Sequence, residues 1–154
     1  MSLRENNYIY ESFSDKDTLK VACDFSKNLK VGAIISLDGE LGAGKTVFVK
    51  GIALGLGIKE DIVSPTFTIM QVYKGGLLPL YHFDAYRIAD IDEMYEIGFE
   101  EYLFGSGVCI IEWSELIKEL IPDSAVRIRL EKDLSRGFEY RRIIFERSGT
   151  KNTD

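Results

Sequence analysis

The chain is poor in the residues and patterns that characterise disulfide-rich, metal-cluster and membrane-spanning proteins. Among its 154 residues there are only two cysteines and one histidine. Cys23 and Cys109 are far apart and have neither metal-ligand spacing nor a disulfide framework, so we expect both to be reduced and structural. No apolar run approaches the roughly 18 residues of a membrane span, and the polar stretch 1–7 lacks the apolar region of a signal peptide. These absences predict a cytoplasmic protein.

Positive charge is scarce as well. The 19 lysines and arginines are outnumbered by 25 aspartates and glutamates, which gives a formal net charge of −6 and a pI near 4.9. Because nucleic-acid binding depends on neutralising phosphates with Lys and Arg, this balance argues against a broad RNA- or DNA-binding surface. Basic residues do concentrate near the C-terminus, at Arg127, Arg129, Lys132, Arg136, Arg141, Arg142 and Arg147. We interpret them as solvated faces of β-strands, and a local nucleic-acid patch is the alternative.

The length leaves no room for a separate substrate domain. A domain of about 150 residues removes about 68–70% of its unfolded surface from water. A hydrophobic fraction of 45% with 12% aromatic residues is typical of a globular protein. We predict one domain over 1–154, with an ordered core at about 14–147 and a frayed tail at 148–154.

The most informative stretch is 39–46, GELGAGKT, which matches the phosphate-binding pattern G-x-x-x-x-G-K-[ST] at every fixed position. Glycines let the backbone wrap closely around a phosphate chain, so that N–H groups and the positive N-terminus of the next helix face the anion. In such a loop the lysine reaches the β- and γ-phosphates and the hydroxyl ligates Mg²⁺. The predicted nucleotide-binding residues are Gly39, Glu40, Leu41, Gly42, Ala43, Gly44, Lys45 and Thr46. We call 39–46 the P-loop.

Both flanks of the P-loop fit this interpretation. The mostly apolar run 33–37 has the length of a buried strand, and Phe48, Ile52 and Leu56 recur at helical spacing before Gly57 ends the helix. The alternative is a glycine-rich turn that contains a Lys-Thr pair by chance, and such a turn would need neither a buried strand before it nor a helix after it. The sequence therefore favours a nucleoside triphosphate site.

The remaining segments predict an α/β domain around the P-loop. Ser14, with Asp17 three residues later, resembles a capping box and starts a first helix whose apolar face runs to Leu29. The predicted elements after the P-loop are a hairpin at 69–73 and 77–83, one helix at 92–103, and strands at 108–111, 126–130 and 140–145.

A triphosphatase needs a second acidic group at the end of a buried strand beside the loop, where it holds Mg²⁺ directly or through water. The strand 108–111 is continuously apolar, as expected when both faces are covered, and ends in Glu112; the segment 80–83 alternates more and ends in Asp84. We assign Glu112 and Thr46 to Mg²⁺. Asp84 is assigned to orienting the attacking water or holding the water shell of the ion, and the alternative is a carboxylate that caps the turn 84–87. With Lys45 these two carboxylates are the predicted catalytic residues.

Three features near the P-loop allow more than one interpretation. The segment 64–68, SPTFT, is either a switch that senses the γ-phosphate through a hydroxyl or an ordinary proline turn. Its candidate residues are Ser64, Pro65, Thr66 and Thr68, with Thr66 foremost. We interpret His82 as a hydrogen-bonded structural residue rather than a base. Trp113 follows Glu112 and should therefore lie near the nucleotide, but we favour packing or partner contact as the reason for a tryptophan at this position.

Four motifs in this order and spacing resemble the TsaE family, the ATPase component of bacterial tRNA threonylcarbamoyladenosine synthesis. They are the P-loop, the SPTFT segment, YHFDAYR at 81–87 and IEW at 111–113. The resemblance runs from about Ser14 to Arg142. Glu40 stands where many members have Asp, which leaves the assignment intact because the loop acts there through its backbone.

The resemblance implies a P-loop NTPase fold, a three-layer α/β/α arrangement whose parallel central sheet is flanked by antiparallel strands, with ATP and Mg²⁺ as cofactors. It also implies partners, the TsaD and TsaB proteins, with tRNA contacted indirectly through their complex. Under it Lys45, Thr46, Glu112, Asp84 and the segment around Thr66 keep the roles given above. Additional candidate site residues are Arg87, Trp113 and Arg142, and Asp15 and Thr18 are candidate nucleotide contacts at the start of the first helix. The arginine that stabilises the transition state comes from Arg87 or from the partner, and the sequence does not choose.

Two other activities share the phosphate-binding loop. Small-molecule kinases of this size usually add an arginine-bearing lid and an acceptor pocket, and no clear lid insertion separates the motifs. Regulatory GTPases commonly recognise guanine with an N-K-x-D loop. The nearest match in this chain, residues 131–133, lacks both the asparagine and the spacing of that loop. A slow ATPase whose hydrolysis resets a partner complex is the leading prediction.

Overall fold

A seven-stranded mixed β-sheet organises residues 8–146, the part of the chain that the computed structural model describes. The strands are β1 (Tyr8–Ser12), β2 (Ile34–Asp38), β3 (Met70–Tyr73), β4 (Leu80–Asp84), β5 (Val108–Glu112), β6 (Val126–Lys132) and β7 (Arg141–Glu146). Their order across the sheet is β1-β7-β6-β2-β5-β4-β3. The four central strands, β6, β2, β5 and β4, are parallel, and the outer pairings are antiparallel. The predicted parallel centre with antiparallel flanks is confirmed.

Helices cover both faces of the sheet. They are α1 (Asp15–Ser26), α2 (Lys45–Gly55), α3 (Asp92–Glu96) and α4 (Phe99–Leu103), with 3₁₀ segments at Ser114–Leu120 and Leu134–Arg136. Along β5, Val108 and Ile110 join the core beneath α1 and α2, whereas Cys109 and Ile111 join the core beneath α3 and α4. This alternation explains why β5 is apolar at every position before Glu112, and it gives the predicted α/β/α layers. Among residues 8–146, no helix has the length and apolar character needed to cross a membrane.

The start of α1 follows the predicted capping, with one change of partner. The Ser14 hydroxyl accepts a hydrogen bond from the Asp17 N–H at 3.1 Å. The Asp17 carboxylate accepts from the N–H of Phe13 at 2.9 Å rather than from that of the cap residue itself. Each bond gives a partner to a backbone donor near the helix start, so this end of α1 is firmly fixed.

Close packing of α1 on α2 fixes the helix that follows the P-loop. At Gly51 of α2, an added Cβ would lie 2.6 Å from both the Ala22 Cβ and the Leu19 carbonyl oxygen of α1. Gly51 is therefore one point of close contact between the two helices, and only a residue without a side chain fits there.

Replacing Gly51 by valine is expected to lower the free energy of unfolding by roughly 1–3 kcal/mol, because the backbone of α1 cannot yield as a flexible side chain could. Lys50→Val is the matched control, since Lys50 is exposed on the same helix. Urea unfolding of both variants measures the difference. Equal stability of the two variants would contradict the close contact.

The structure departs from the predicted elements in two places. The single helix predicted at 92–103 is broken into α3 and α4 by Gly98, whose φ of +78° is left-handed. Strand β1 was not predicted; it pairs with β7 at the sheet edge and exposes most of its side chains. Stretch 1–7, Arg147 and the tail 148–154 lie outside the described residues, so what the sequence indicates about them stays a prediction.

Candidate functional site

The candidate site lies at the sheet edge where the carboxyl ends of β2, β4 and β5 meet. Asp38 ends β2, Asp84 ends β4 and Glu112 ends β5. Asp84 and Glu112 are register partners on adjacent parallel strands. Both are almost completely buried, with exposures of 2% and 3%. Two neighbouring buried carboxylates would repel each other, so this arrangement calls for positive charge nearby.

The P-loop connects β2 to α2 at this edge. Ala43 N–H donates to the Glu40 carbonyl at 3.1 Å, which closes the first turn of the loop. Gly44 is the N-cap of α2 with a φ of +98°, so the loop enters the helix through a left-handed residue that favours glycine. A Cβ at Gly39 would lie 2.7 Å from the Leu130 carbonyl oxygen. Glu40 and Leu41 are exposed at the tip.

Lys45 supplies the positive charge. Its side chain lies inside the fold, and the ammonium donates to the carbonyls of Gly39 and Glu40, at 3.1 Å in the second case. Burial lowers the pKa of Lys45, and the Glu112, Asp84 and Asp38 carboxylates oppose that shift. The residue after it, Thr46, is half-buried in the first turn of α2. The predicted lysine, hydroxyl and carboxylates therefore share one edge of the fold.

Glu112 is held by a histidine. The His82 Nε2 lies 2.6 Å from Glu112 Oε2, and His82 is completely buried. Because a carboxylate is an acceptor, Nε2 is the donor in this contact. His82 is thus the hydrogen-bonded structural residue that its sequence context predicted, and its partner is the candidate Mg²⁺ ligand.

The Asp84 carboxylate has partners at both oxygens. Oδ1 accepts from the Tyr86 N–H at 2.9 Å, which is the turn-capping contact considered for it. Oδ2 accepts from the Thr66 hydroxyl at 2.9 Å. Turn capping therefore occupies one oxygen and leaves the other to the SPTFT segment.

The SPTFT segment is attached to the site through its hydroxyls. Ser64 and Thr66 lie 2.8 Å apart through their hydroxyl oxygens. Ile69 follows the segment with a φ of +70°, an uncommon conformation for a β-branched residue, and its carbonyl accepts from the Asp84 N–H at 2.9 Å. Pro65 is buried, and Thr68 is exposed and contacts the Met70 carbonyl at 3.4 Å. The segment thus places Thr66 beside Asp84.

Trp113 packs its indole ring against the Lys45 ammonium. The Lys45 ammonium lies 4.4 Å from the centre of the indole ring, and the Tyr86 ring packs against the same indole with centroids 4.8 Å apart. Trp113 has a left-handed φ of +57°. The next residue, Ser114, donates to Asp38 through its N–H at 2.8 Å and its hydroxyl at 2.6 Å. Asp38 therefore anchors the Trp113 turn.

Asp38 was not predicted as a site residue. Burial raises the pKa of its carboxyl, and the two bonds from Ser114 oppose that rise. Its place at the end of β2, directly before Gly39, is the one sequence signal that pointed to this edge of the sheet.

The remaining candidate residues are placed differently. Thr18 is buried with its hydroxyl 2.7 Å from that of Ser12, and Asp15 is exposed at the start of α1. Arg87 is exposed and its guanidinium stacks 4.7 Å from the Phe67 ring. Arg142 contacts Glu131 at 3.3 Å. The structure does not join these side chains to the P-loop by any hydrogen bond within residues 8–146, and their roles stay predictions.

Three of the C-terminal basic residues, Arg129, Arg136 and Arg142, pair with acidic side chains. Arg129 contacts Glu131 and Glu146, at 3.0 and 2.6 Å, and Arg136 contacts Glu11 at 2.9 Å. Pairing lowers the positive potential that a nucleic-acid patch would need, so the strand-face interpretation fits better. Cys109 behaves as expected for a structural cysteine, since burial raises the pKa of its thiol to about 12, and neither cysteine forms a disulfide.

The donor set suits Mg²⁺ rather than a metal held by protein alone. Among residues 8–146 no group of three or more His, Cys, Asp or Glu side chains forms a metal-binding cluster. Mg²⁺ is usually bound through one or two carboxylates together with substrate phosphates and waters. A buried carboxylate at Glu112 and a hydroxyl at Thr46 fit that mode.

Comparison with known proteins decides the family. The family model described as threonylcarbamoyl adenosine biosynthesis protein TsaE matches residues 12–143. This chain belongs to the TsaE family. The similarity agrees with the four sequence motifs and covers both the P-loop and the strands that carry Asp84 and Glu112.

Relatives of the TsaE family are similar along most of the chain. The tRNA threonylcarbamoyladenosine biosynthesis protein TsaE of Treponema pallidum (strain Nichols) is 47% identical over 119 residues, 77% of this chain and 87% of the relative. The protein of the same name from Bacillus subtilis (strain 168) is 40% identical over 142 residues, 92% of this chain and 87% of the relative. The crystal structure of Bacillus subtilis YdiB superposes with a TM-score of 0.79 at 36% identity, covering 95% of this chain and 88% of that one.

These findings confirm the predicted family and fold class. The chain has the α/β sheet of a P-loop NTPase and belongs to a family involved in tRNA threonylcarbamoyladenosine biosynthesis.

Proposed function

We propose that this protein is a Mg²⁺-dependent ATPase of the cytoplasm that supports tRNA threonylcarbamoyladenosine modification by binding and resetting the TsaD–TsaB complex. The observation that carries the proposal is the meeting of Lys45 with the buried carboxylates Asp84 and Glu112 at the start of α2. Buried charges are costly unless they are paired, so their retention at one strand edge favours a role in binding or chemistry.

The P-loop would hold the phosphates of ATP. Its backbone N–H groups and the N-terminus of α2 stabilise negative charge. Lys45 would leave the Gly39 and Glu40 carbonyls and donate to the β- and γ-phosphates. Thr46 and Glu112 would hold Mg²⁺, which neutralises charge that develops on the phosphate oxygens.

Asp84 would orient the water that attacks the γ-phosphate. Its Oδ1 is fixed by the Tyr86 N–H, and Oδ2 faces the Thr66 hydroxyl. A water that replaced Thr66 at Oδ2 would be held by a carboxylate of fixed orientation, which is the geometry that general-base catalysis requires. Movement of the SPTFT segment would then couple hydrolysis to the partner.

Hydrolysis should depend on the partner proteins, because the arginine that stabilises the transition state can be supplied in trans. Adding TsaD and TsaB is expected to stimulate ATP turnover, with tRNA contacted through their complex. The measurement is phosphate release with and without the two proteins. Failure of the ATP-loaded protein to bind them would contradict the resetting role while leaving ATP binding intact.

The single tryptophan of the chain is a built-in reporter of ATP binding. ATP with Mg²⁺ is expected to change the emission of Trp113, because Lys45 leaves the indole face when it donates to phosphate. Titration of emission against ATP and against GTP measures affinity and base preference. Lys45→Ala is the control. It removes the cation that contacts the indole, so the Trp113 emission of this variant should lack the change that ATP causes in the wild type.

Lys45→Ala should also weaken ATP binding by about 1.5–3 kcal/mol, the typical net contribution of a hydrogen bond to a charged group. Calorimetry on the folded proteins measures this directly. If the wild-type protein takes up no ATP in the presence of Mg²⁺, the proposed function is wrong.

A further inference from the structure

Arg141, at the start of β7, contacts main-chain carbonyls of the P-loop other than those that Lys45 contacts. Its Nε donates to the Ala43 carbonyl at 3.0 Å and its Nη2 to the Gly42 carbonyl at 3.1 Å. The two residues are 98 and 99 positions away in the sequence. A planar guanidinium thus holds two successive carbonyls of the loop with its fork of donors.

The same guanidinium is itself fixed by the turn before β7. Its Nη1 donates to the carbonyls of Phe138 and Tyr140, at 3.1 and 2.7 Å. All these acceptors are main-chain oxygens rather than carboxylates. Arg141 therefore ties the backbone of the turn 137–140 to the backbone of the P-loop, whereas Arg129 on β6 and Arg142 on β7 pair with acids.

The direction of these bonds matters for the loop. In a trans peptide the C=O and the next N–H point in opposite directions. A bond from Arg141 to the Ala43 carbonyl therefore turns the Gly44 N–H away from Arg141. The peptide between Gly42 and Ala43 is held at both ends, by Arg141 at its oxygen and by the Glu40 carbonyl at its N–H.

We propose that Arg141 is a positioning residue that sets the peptide planes of the second half of the P-loop before a phosphate group binds. The expected consequence of this positioning, tighter ATP binding, rests on the proposed function, whereas the positioning itself does not. Lys45 holds the first half of the loop through Gly39 and Glu40, and those bonds must break when the lysine turns to phosphate. The bonds of Arg141 to Gly42 and Ala43 need not change, so this half stays preorganised.

A competing explanation is that Arg141 acts only as a positive charge near the phosphates. Lys132, its register partner on β6, also lies close by, since a Cβ on Gly42 would be 3.4 Å from its ammonium. Arg141→Lys separates the two explanations, because lysine keeps the charge and loses the planar fork.

The experiment compares Arg141→Lys and Arg141→Gln with Arg129→Lys and Arg129→Gln. Arg129 is an arginine of the neighbouring strand that donates to the carboxylates of Glu131 and Glu146. Calorimetry with ATP and Mg²⁺ is expected to show binding at least about tenfold weaker in both Arg141 variants, or about 1.4 kcal/mol. The Arg129 variants should stay within about threefold of wild type. Wild-type affinity in Arg141→Lys would overturn the positioning role.

A second readout needs no nucleotide. Hydrogen exchange of the peptide that covers 39–46 should become faster in both Arg141 variants and not in the Arg129 variants, because the loop loses two fixed carbonyls. The peptide that covers 108–112 reports global stability and should exchange alike in all folded variants. Unchanged exchange in the loop peptide would contradict the inference. Faster exchange in both peptides would also contradict it, because the substitution would then have loosened the whole fold and not the P-loop in particular.

The two readouts separate this inference from the proposed function. If the wild-type protein binds no ATP but the loop peptide still exchanges faster in the Arg141 variants, the ATPase proposal fails and the positioning role stands. If ATP binds normally to Arg141→Lys, the ATPase proposal stands and the positioning role fails.

Discussion

Asp84→Asn is expected to lower the rate of ATP hydrolysis by about 10²–10⁴-fold while ATP and Mg²⁺ still bind, because general-base catalysis typically contributes that factor. The carboxylate is buried and held in one orientation by the Tyr86 N–H. An amide of nearly the same shape keeps the volume and loses the basic oxygen. The loss should therefore fall on turnover and not on affinity.

The contacts of Asp84 indicate that asparagine can replace it without disrupting the fold. The amide oxygen can accept from the Tyr86 N–H as Oδ1 does now. The amide nitrogen then faces the Thr66 hydroxyl, which changes from donor to acceptor by rotation. No buried donor faces another donor, so the stability of the variant should stay close to that of the wild type.

Asp90→Asn is the matched control for this substitution. Asp90 is exposed, and its Oδ1 accepts from the N–H two residues ahead, that of Asp92, at 3.0 Å, just as Asp84 accepts from Tyr86. The two variants make the same chemical change in the same local turn, and only one lies at the site. Single-turnover hydrolysis with the partner proteins present measures the difference. Normal turnover in Asp84→Asn would remove Asp84 from the mechanism.

The parts of the fold that the sequence predicted are those with local signals. The strand and the helix on either side of the P-loop could be predicted because their signals are local. The glycine positions, the apolar spacing and the stop at Gly57 all act within a few residues. The prediction of a single helix at 92–103 was wrong because a local feature was overlooked. The left-handed Gly98 interrupts an otherwise helical acidic stretch. Strand β1 depends on pairing with β7, more than a hundred residues later, and its exposed side chains give little pattern to recognise.

The same division holds in the site. The residues of the P-loop, Asp84 and Glu112 were predicted because each follows or ends a strand with its own sequence signature. The contacts that orient them were not, because they join distant parts of the chain. Asp38 meets Ser114 across 76 positions, and Arg141 meets Ala43 across 98. Sequence reasoning selected Arg142 on β7, and the adjacent arginine is the one that contacts the loop, since neighbouring strand residues point to opposite faces.

Glu112→Gln is expected to raise the Mg²⁺ concentration needed for half-maximal hydrolysis by at least about tenfold, because loss of even a supporting partner of a metal ligand typically costs 10–100-fold. The reason lies in the contact with His82. The imidazole donates from Nε2 to Oε2, so the oxygen of a glutamine side chain is required there as acceptor. The amide nitrogen then occupies the position of the other carboxylate oxygen, and an N–H₂ group repels a cation that the carboxylate would bind.

His82→Phe tests the same geometry from the other side. It leaves the carboxylate charge in place and removes the donor that orients it, so Mg²⁺ should bind more weakly than in the wild type but more tightly than in Glu112→Gln. Mn²⁺ binding followed by electron paramagnetic resonance in the presence of ATP gives the affinity without reference to turnover. The ranking wild type, His82→Phe, Glu112→Gln is the expected result. If Glu112→Gln binds the ion as tightly as the wild type, Glu112 is not a metal ligand and the histidine contact has only a structural role.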